Sequence, residues 1–371
     1  MDAGPSASIE IPGSKKRETR PSARRPPTSL VFEDDMKQKE DLVSQWVSAP
    51  IPDALWHYTS INGFQGIIES RSIHATDVRF LNDTEEFVHI RKMAYELVDD
   101  APELDGRFQF RLRGSLKWAV DTIFGSEFLN PNSAQIFVAS FTDSRDDLSQ
   151  WRGYSHGTHG ASISFDLRGI RVVLDPDSGV TFARCVYKDA DKKELIQSAL
   201  NYFIKVSLGY WNKVCEEFMQ TLLHGARPSD DEQRKFVTSI STSEKFEEQL
   251  QIGLTEARKR IIRLAGLLKH RAFCNENEWR LVLPISPNKD KTNLIHPIRF
   301  KPKNAGLVPF IAFPLDLVPD PSHPGTVYPA INEVMLGPGA GKDAENAAQA
   351  FLKSNSINAV VRGSDIPYRQ V

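Results

Sequence analysis

The segment Glu276-Asn277-Glu278-Trp279-Arg280 runs directly into Leu281-Val282-Leu283, a short apolar run that predicts a strand. Alternation along a strand puts Glu276, Glu278 and Arg280 on one face and Trp279, Leu281 and Leu283 on the other. Such a strand either borders water or lines a polar cleft. In a cleft, a fixed carboxylate can stabilise the positive charge that develops on a ribose as the leaving group departs from an N-glycosidic bond. On an exposed face the same residues form a charge ladder worth about 0–1 kcal/mol.

Upstream, Trp56-His57-Tyr58-Thr59-Ser60 closes a strand predicted over 54–58. His57 can hydrogen-bond a ligand hydroxyl or phosphate, or serve as a structural histidine at a strand end. Tyr58 faces away from His57 on an ideal strand, so the two should not share one role. A third group is Ser140-Phe141-Thr142-Asp143-Ser144, which closes the strand predicted over 135–141. Hydroxyl and carboxylate groups at a strand end can orient another side chain. The segment leads into Asp147-Leu148-Ser149-Gln150-Trp151-Arg152-Gly153-Tyr154, predicted as a short helix or turn. Trp151 and Tyr154 are three apart and share a helical face. They suit stacking on a flat ring or packing in a core. Arg152 carries a fork of donors for a phosphate, or for a salt bridge.

Other motifs point away from chemistry. His156 and His159 supply two of the four ligands of a zinc site, so a loop and no metal are expected. Gly337-Pro338-Gly339-Ala340-Gly341-Lys342 lacks the spacing of a phosphate loop and reads as a tight strand-to-helix turn. A G-x-S-x-G elbow is absent from the sequence, and Cys185, Cys215 and Cys274 are scattered. A Ser or Cys hydrolase is not supported.

These groups need a scaffold, and 371 residues with 40% hydrophobic content can bury a substantial core. The net charge of −2 gives no overall field favouring nucleic acid or anionic membrane. No stretch approaches 18 consecutive apolar residues, and the N-terminus lacks the apolar region of a secretory signal. With only three cysteines, the expected setting is cytoplasmic and reducing, with no membrane partner. Residues 1–28 are rich in Pro, Ser, Lys and Arg and are predicted to be a disordered basic tail. Residues 29–371 are predicted to form a single α+β domain. Its strands are interrupted at 189–271, where the hydrophobic period changes from two to 3.6. That helical insertion is expected to pack as a lid or side domain.

Taken together, the motifs resemble a bacterial family of unknown function over about residues 53–371. They are Leu55-Trp56-His57-Tyr58-Thr59-Ser60, Phe80-Leu81-Asn82-Asp83, Leu148-Ser149-Gln150-Trp151-Arg152, Phe273 with Glu276-Asn277-Glu278-Trp279-Arg280, and Ser364-Asp365-Ile366-Pro367-Tyr368-Arg369. The H…S…E order also resembles the ADP-ribosyltransferase fold, in which mixed sheets surround an NAD cleft. That resemblance implies that His57 grips the NAD ribose, that Glu278 is the catalytic glutamate, and that Glu276 is the first glutamate of an E-x-E pair. Ser140 or Thr142 would orient Glu278, and Trp151 or Tyr154 would face nicotinamide. Tyr58, Arg152 and Arg280 complete the implied cofactor-binding set. Phe141 and Asp143 interrupt the contiguous Ser-Thr-Ser of the family pattern. The implied activity is transfer of ADP-ribose from NAD to a protein or nucleic acid, in a toxin or phage-defence setting. The alternatives are a non-catalytic nucleotide-sensing or partner-binding module and an NAD glycohydrolase. On the catalytic reading, His57, Ser140 and Glu278 should converge in space.

Overall fold

A computed structural model describes residues 41–81, 86–101, 112–125, 135–155, 159–167, 180–222, 228–285, 297–303, 306–315 and 331–367. The predicted tail, Asn82-Asp83, His156 and Tyr368-Arg369 lie outside the described residues.

Ten strands form one large open mixed sheet: β1 (Leu55–Ser60), β2 (Ser72–Asp77), β3 (Gln135–Thr142), β4 (Gly160–Phe165), β5 (Thr181–Arg184), β6 (Glu278–Ile285), β7 (Ile298–Lys303), β8 (Gly306–Pro314), β9 (Ile331–Leu336) and β10 (Val360–Gly363). The main path runs β10-β9-β4-β1-β3-β2-β8-β7, with β6 on β3 and β5 on β6. The β9–β10 pair is parallel.

Strand β3 is the junction. One edge pairs along its whole length with β6, from Gln135 opposite Ile285 to Thr142 opposite Glu278. The other edge is divided. Strand β1 meets it only at Trp56 opposite Thr142, and β2 only at Thr76 opposite Val138 and Asp77 opposite Phe137. Between those contacts, at 139–141, β1 and β2 part and leave a fork.

The alternation of β3 and β6 builds two cores. Ile136, Val138, Ala183 and Val282 face one side, while Phe137, Ala139, Phe141, Trp279 and Leu281 face the other. The second side is covered by α2 (Ile61–Ser70) and by α9 (Lys342–Ser354) after the expected Gly-rich turn. Helix α1 (Leu42–Val47) lies at the edge of the first side, which is covered by α3 (Glu86–Asp99), α4 (Leu112–Ile123), α6 (Asp189–Thr221) and α8 (Glu244–Ala265). The short helices α5 (Leu148–Tyr154) and α7 (Asp230–Ser241) complete the set.

The change of period at 189 does mark long helices. The expectation of a lid or side domain, however, is corrected. Leu195, Phe203, Ala257, Ile261 and Leu264 share one core with Ile136, Val138 and Val282 of the sheet. Burying each large apolar side chain contributes about 1.5–3 kcal/mol, so these helices hold the sheet rather than hover over it. Gly253 lets α8 approach α6 closely, because a Cβ there would meet the Phe203 backbone at 3.3 Å. No helix among the described residues is long and apolar enough to cross a membrane.

Candidate functional site

The head of β6 carries the densest polar cluster. Helix α8 ends at Ala265, and the chain then runs back beside β5, with the Val186 N–H donating to the Leu267 carbonyl at 2.9 Å and the Lys269 N–H to the Val186 carbonyl at 3.0 Å. These bonds fix Lys269 at 4% exposure. Its ammonium donates to Glu278 Oε2 at 2.6 Å and also to a Glu276 carboxylate oxygen. Arg280 Nε donates to the other Glu278 oxygen at 2.9 Å, and its Nη1 to the Gly266 carbonyl at 3.0 Å. Tyr187 accepts the Glu278 N–H at 2.8 Å.

Glu278 and Arg280 share a strand face, as alternation predicts. Glu276 arrives differently. It ends a 3-10 turn over Arg271–Glu276, and Asn277 follows in the left-handed region at φ 44° and ψ 45°. That bend brings both carboxylates onto one ammonium. Thr142 Oγ1 donates to the Glu276 carbonyl at 2.7 Å, so it orients the chain before Glu278 rather than the Glu278 carboxylate itself.

The charge-ladder alternative is overturned by burial. Glu278 is 5% exposed and both its oxygens are engaged. Burial opposes its ionisation, yet Arg280 and Lys269 hold its carboxyl down to about 2. Burial likewise disfavours the Lys269 ammonium, but Glu278 beside it lifts its pKa above the ordinary lysine value. Glu276 is the outer member, with its side chain 18% exposed. Tyr154, itself 43% exposed, donates to the Glu276 carboxylate at 3.1 and 3.2 Å. Burial of its hydroxyl end pushes the Tyr154 phenol up, so the hydroxyl remains a donor.

The proposed nucleotide residues separate into two groups. Tyr154 and Arg152 are exposed. Three others are corrected. Trp151 is fully buried, donates from Nε1 to Asp146 at 2.7 Å, and packs edge-on to Tyr58 at 4.7 Å. Tyr58, 7% exposed, donates to the Ser144 carbonyl at 3.1 Å and accepts the Asp147 N–H at 3.0 Å. Neither ring can stack on nicotinamide. Arg280, at 2% exposure, is committed inside the cluster and cannot grip a phosphate. The resemblance implied a cofactor contact for Arg280; its register opposite Ser140 puts it under the helices.

His57 occupies the fork. Its Nδ1 donates to the Ser140 carbonyl at 2.8 Å, the group a neighbouring strand would otherwise satisfy. Donation to a carbonyl fixes the Nδ1–H tautomer and leaves Nε2 as an acceptor. Burial pushes the imidazole pKa down, the Ser140 bond opposes this, and Lys301 lowers it further. The pairing of Trp56 with Thr142 turns His57 toward Phe141, whose ring lies 5.9 Å away. Ser140 is therefore the link: its carbonyl holds His57, while its side chain shares a face with Arg280 and Glu278. His57 and Glu278 approach β3 from different sides.

Sequence reasoning missed Lys269, Tyr187 and Asp146. Lys269 had a signal, a cation directly after the apolar Leu267-Leu268 and nine residues before Glu278. Asp146 joins two motifs: it accepts from Trp151 of one, and from the Ser364 hydroxyl at 2.7 Å and the Asp365 N–H at 2.9 Å of the other.

Residues 150–281 match the profile of a family described as "Protein of unknown function (DUF2971)", in keeping with the resemblance to a family of unknown function. The matched segment contains Tyr154, Lys269, Glu276, Glu278 and Arg280. No curated protein and no solved structure matches the chain.

Proposed function

We propose that the protein binds NAD where β1 and β3 part and transfers ADP-ribose to a macromolecular acceptor. The observation that carries this reading is the divided edge of β3. It joins the β5-β6-β3 arm to the β1-β4-β9-β10 arm through one register pair, Trp56 opposite Thr142. An anchored imidazole stands on one arm and a carboxylate pair on the other. This supports the likeness to a fold that places two small sheets around an NAD cleft.

The residues fit such a ligand in part. His57 offers Nε2 to a ribose hydroxyl, and Tyr154 offers a partly exposed ring beside Glu276. Bound NAD supplies the ribosyl carbon and the nicotinamide leaving group. Glu276, the reachable carboxylate, stabilises positive charge developing at the ribose as the glycosidic electron pair leaves with nicotinamide. It then takes the proton of the acceptor's nucleophile as the new bond forms. Glu278 keeps Lys269 in place and positions Glu276 through it.

A second reading has its own support. Both oxygens of Glu278 are engaged and the residue is buried, as a structural ion cluster requires. On that reading the cleft binds a nucleotide without turning it over. Nicotinamide release from NAD separates the two. Release that falls in Glu276→Gln supports transfer; NAD binding without release supports the non-catalytic module.

A further inference from the structure

The fork has a second lining that the carboxylate site does not use. Thr76 stands opposite Val138 of β3 and Phe310 of β8, so His74, two residues back, lies on the face that carries Ser140. Arg299 of β7 pairs with Phe310, which puts it on that face too. Across the sheet, β6 contributes Glu278, β3 Ser140, β2 His74 and β7 Arg299. Adjacent strands are about 4.8 Å apart, so the four steps from β6 to β7 span roughly 19 Å and set the basic end of the row well away from the buried Glu278.

The far end of this row is basic and ordered. The His74 ring packs on Phe310 at 4.1 Å between centroids. Lys301 Nζ donates to Thr76 Oγ1 at 3.2 Å and lies 5.4 Å from the Phe310 ring centre. Partial burial of the His74 ring, then Lys301, Arg299 and His57, push its pKa down to about 4. Lys301 acts on both imidazoles and Arg299 on His74, and both are cations. A guanidinium and an imidazole on one sheet face, two strands apart with the Lys301 ammonium on the same face, match the spread oxygens of a diphosphate.

We propose that this basic side of the fork holds the diphosphate of a nucleotide, with Arg299 and His74 as its contacts. The proposal rests on the nucleotide reading above and adds a phosphate subsite to it. His57 is left to the adjoining ribose hydroxyl.

The test is calorimetric titration of ADP, ADP-ribose and adenosine into the full chain, Arg299→Gln and His74→Gln, with nicotinamide release assayed in parallel. ADP and ADP-ribose should bind at least tenfold more tightly than adenosine. Each variant should weaken ADP by roughly tenfold, the loss of one charge-assisted contact, while adenosine binding and Tm stay unchanged. Equal affinity for ADP and adenosine, ADP binding unchanged in both variants, or no ADP binding by wild type would overturn the subsite. Loss of ADP binding in the variants with no nicotinamide release by wild type would support the subsite and count against transfer alone. Release that persists beside variant-independent ADP binding would count against the subsite alone.

Discussion

Glu276, Glu278, Lys269 and Arg280 place two negative and two positive charges in one largely closed space. Removing one partner from a buried pair leaves the other uncompensated, which costs about 3–5 kcal/mol. Glu278→Gln should therefore lower urea-unfolding stability by roughly that amount. Glu276→Gln, at the partly exposed rim, should cost about 1.5 kcal/mol, the value of one charge-assisted hydrogen bond. Equal losses would contradict the inner and outer roles assigned here. The pH dependence follows the same cause. Glu278 is held at about 2 against an ordinary 4.5, so its contribution is present above pH 4.5 and is lost as pH falls toward 2. Between wild type and Glu278→Gln, the stability difference should shrink across that window. A difference that is flat through it would mean the carboxylate is not ion-paired. For this reason Glu278→Gln is a poor probe of chemistry: it disturbs the fold first.

Among the elements, the bend at Asn277 and the docking of the C-terminal strand segment carry the site. An L-residue in the left-handed region costs roughly 1–2 kcal/mol, which Asn tolerates and a β-branched residue does not. Asn277→Gly should leave Tm near wild type, whereas Asn277→Val should lower it and shift Glu276 off Lys269. Asp146 accepts from Trp151, Ser364 and Asp365. Asp146→Ala and Ser364→Ala should therefore show a coupling of about 0.5–3 kcal/mol in a double-mutant cycle; additive losses would mean they act apart. These elements also show what could be foreseen. The strand at Glu278 and the turn into α9 followed from alternation and a Gly-rich stretch, and the segment 147–154, expected as a short helix or turn, is the helix Leu148–Tyr154. Trp151 and Tyr58 could not be resolved, because an aromatic ring fits a core and a ligand equally well until its partners are known, Asp146 for Trp151 and Ser144 with Asp147 for Tyr58. Lys269 was missed because local pattern says nothing about which carboxylate a distant cation will meet. Asn277 was missed because a backbone bend inside a strand-like run leaves no mark on alternation.

In the molecule as a whole, β3 is held by β6 on one edge and by β1 and β2 on the other, and both faces are covered. Amide exchange should be slowest there. Helix α7 buries only Ile240 and should exchange much faster; comparable protection would contradict a sheet-centred core. The fork exists because β1 and β2 share one edge of β3, a feature of topology that no single motif encodes. Its proposed use as an NAD cleft is tested most directly by nicotinamide release from wild type and Glu276→Gln, with thermal unfolding of both. Wild type should release nicotinamide in the presence of its acceptor. Glu276→Gln should lose roughly 10²–10³ in rate, as expected when one preorganised electrostatic group is removed, while remaining folded. No release by wild type with protein, RNA, DNA or water as acceptor, or an unchanged rate in Glu276→Gln, would contradict the account.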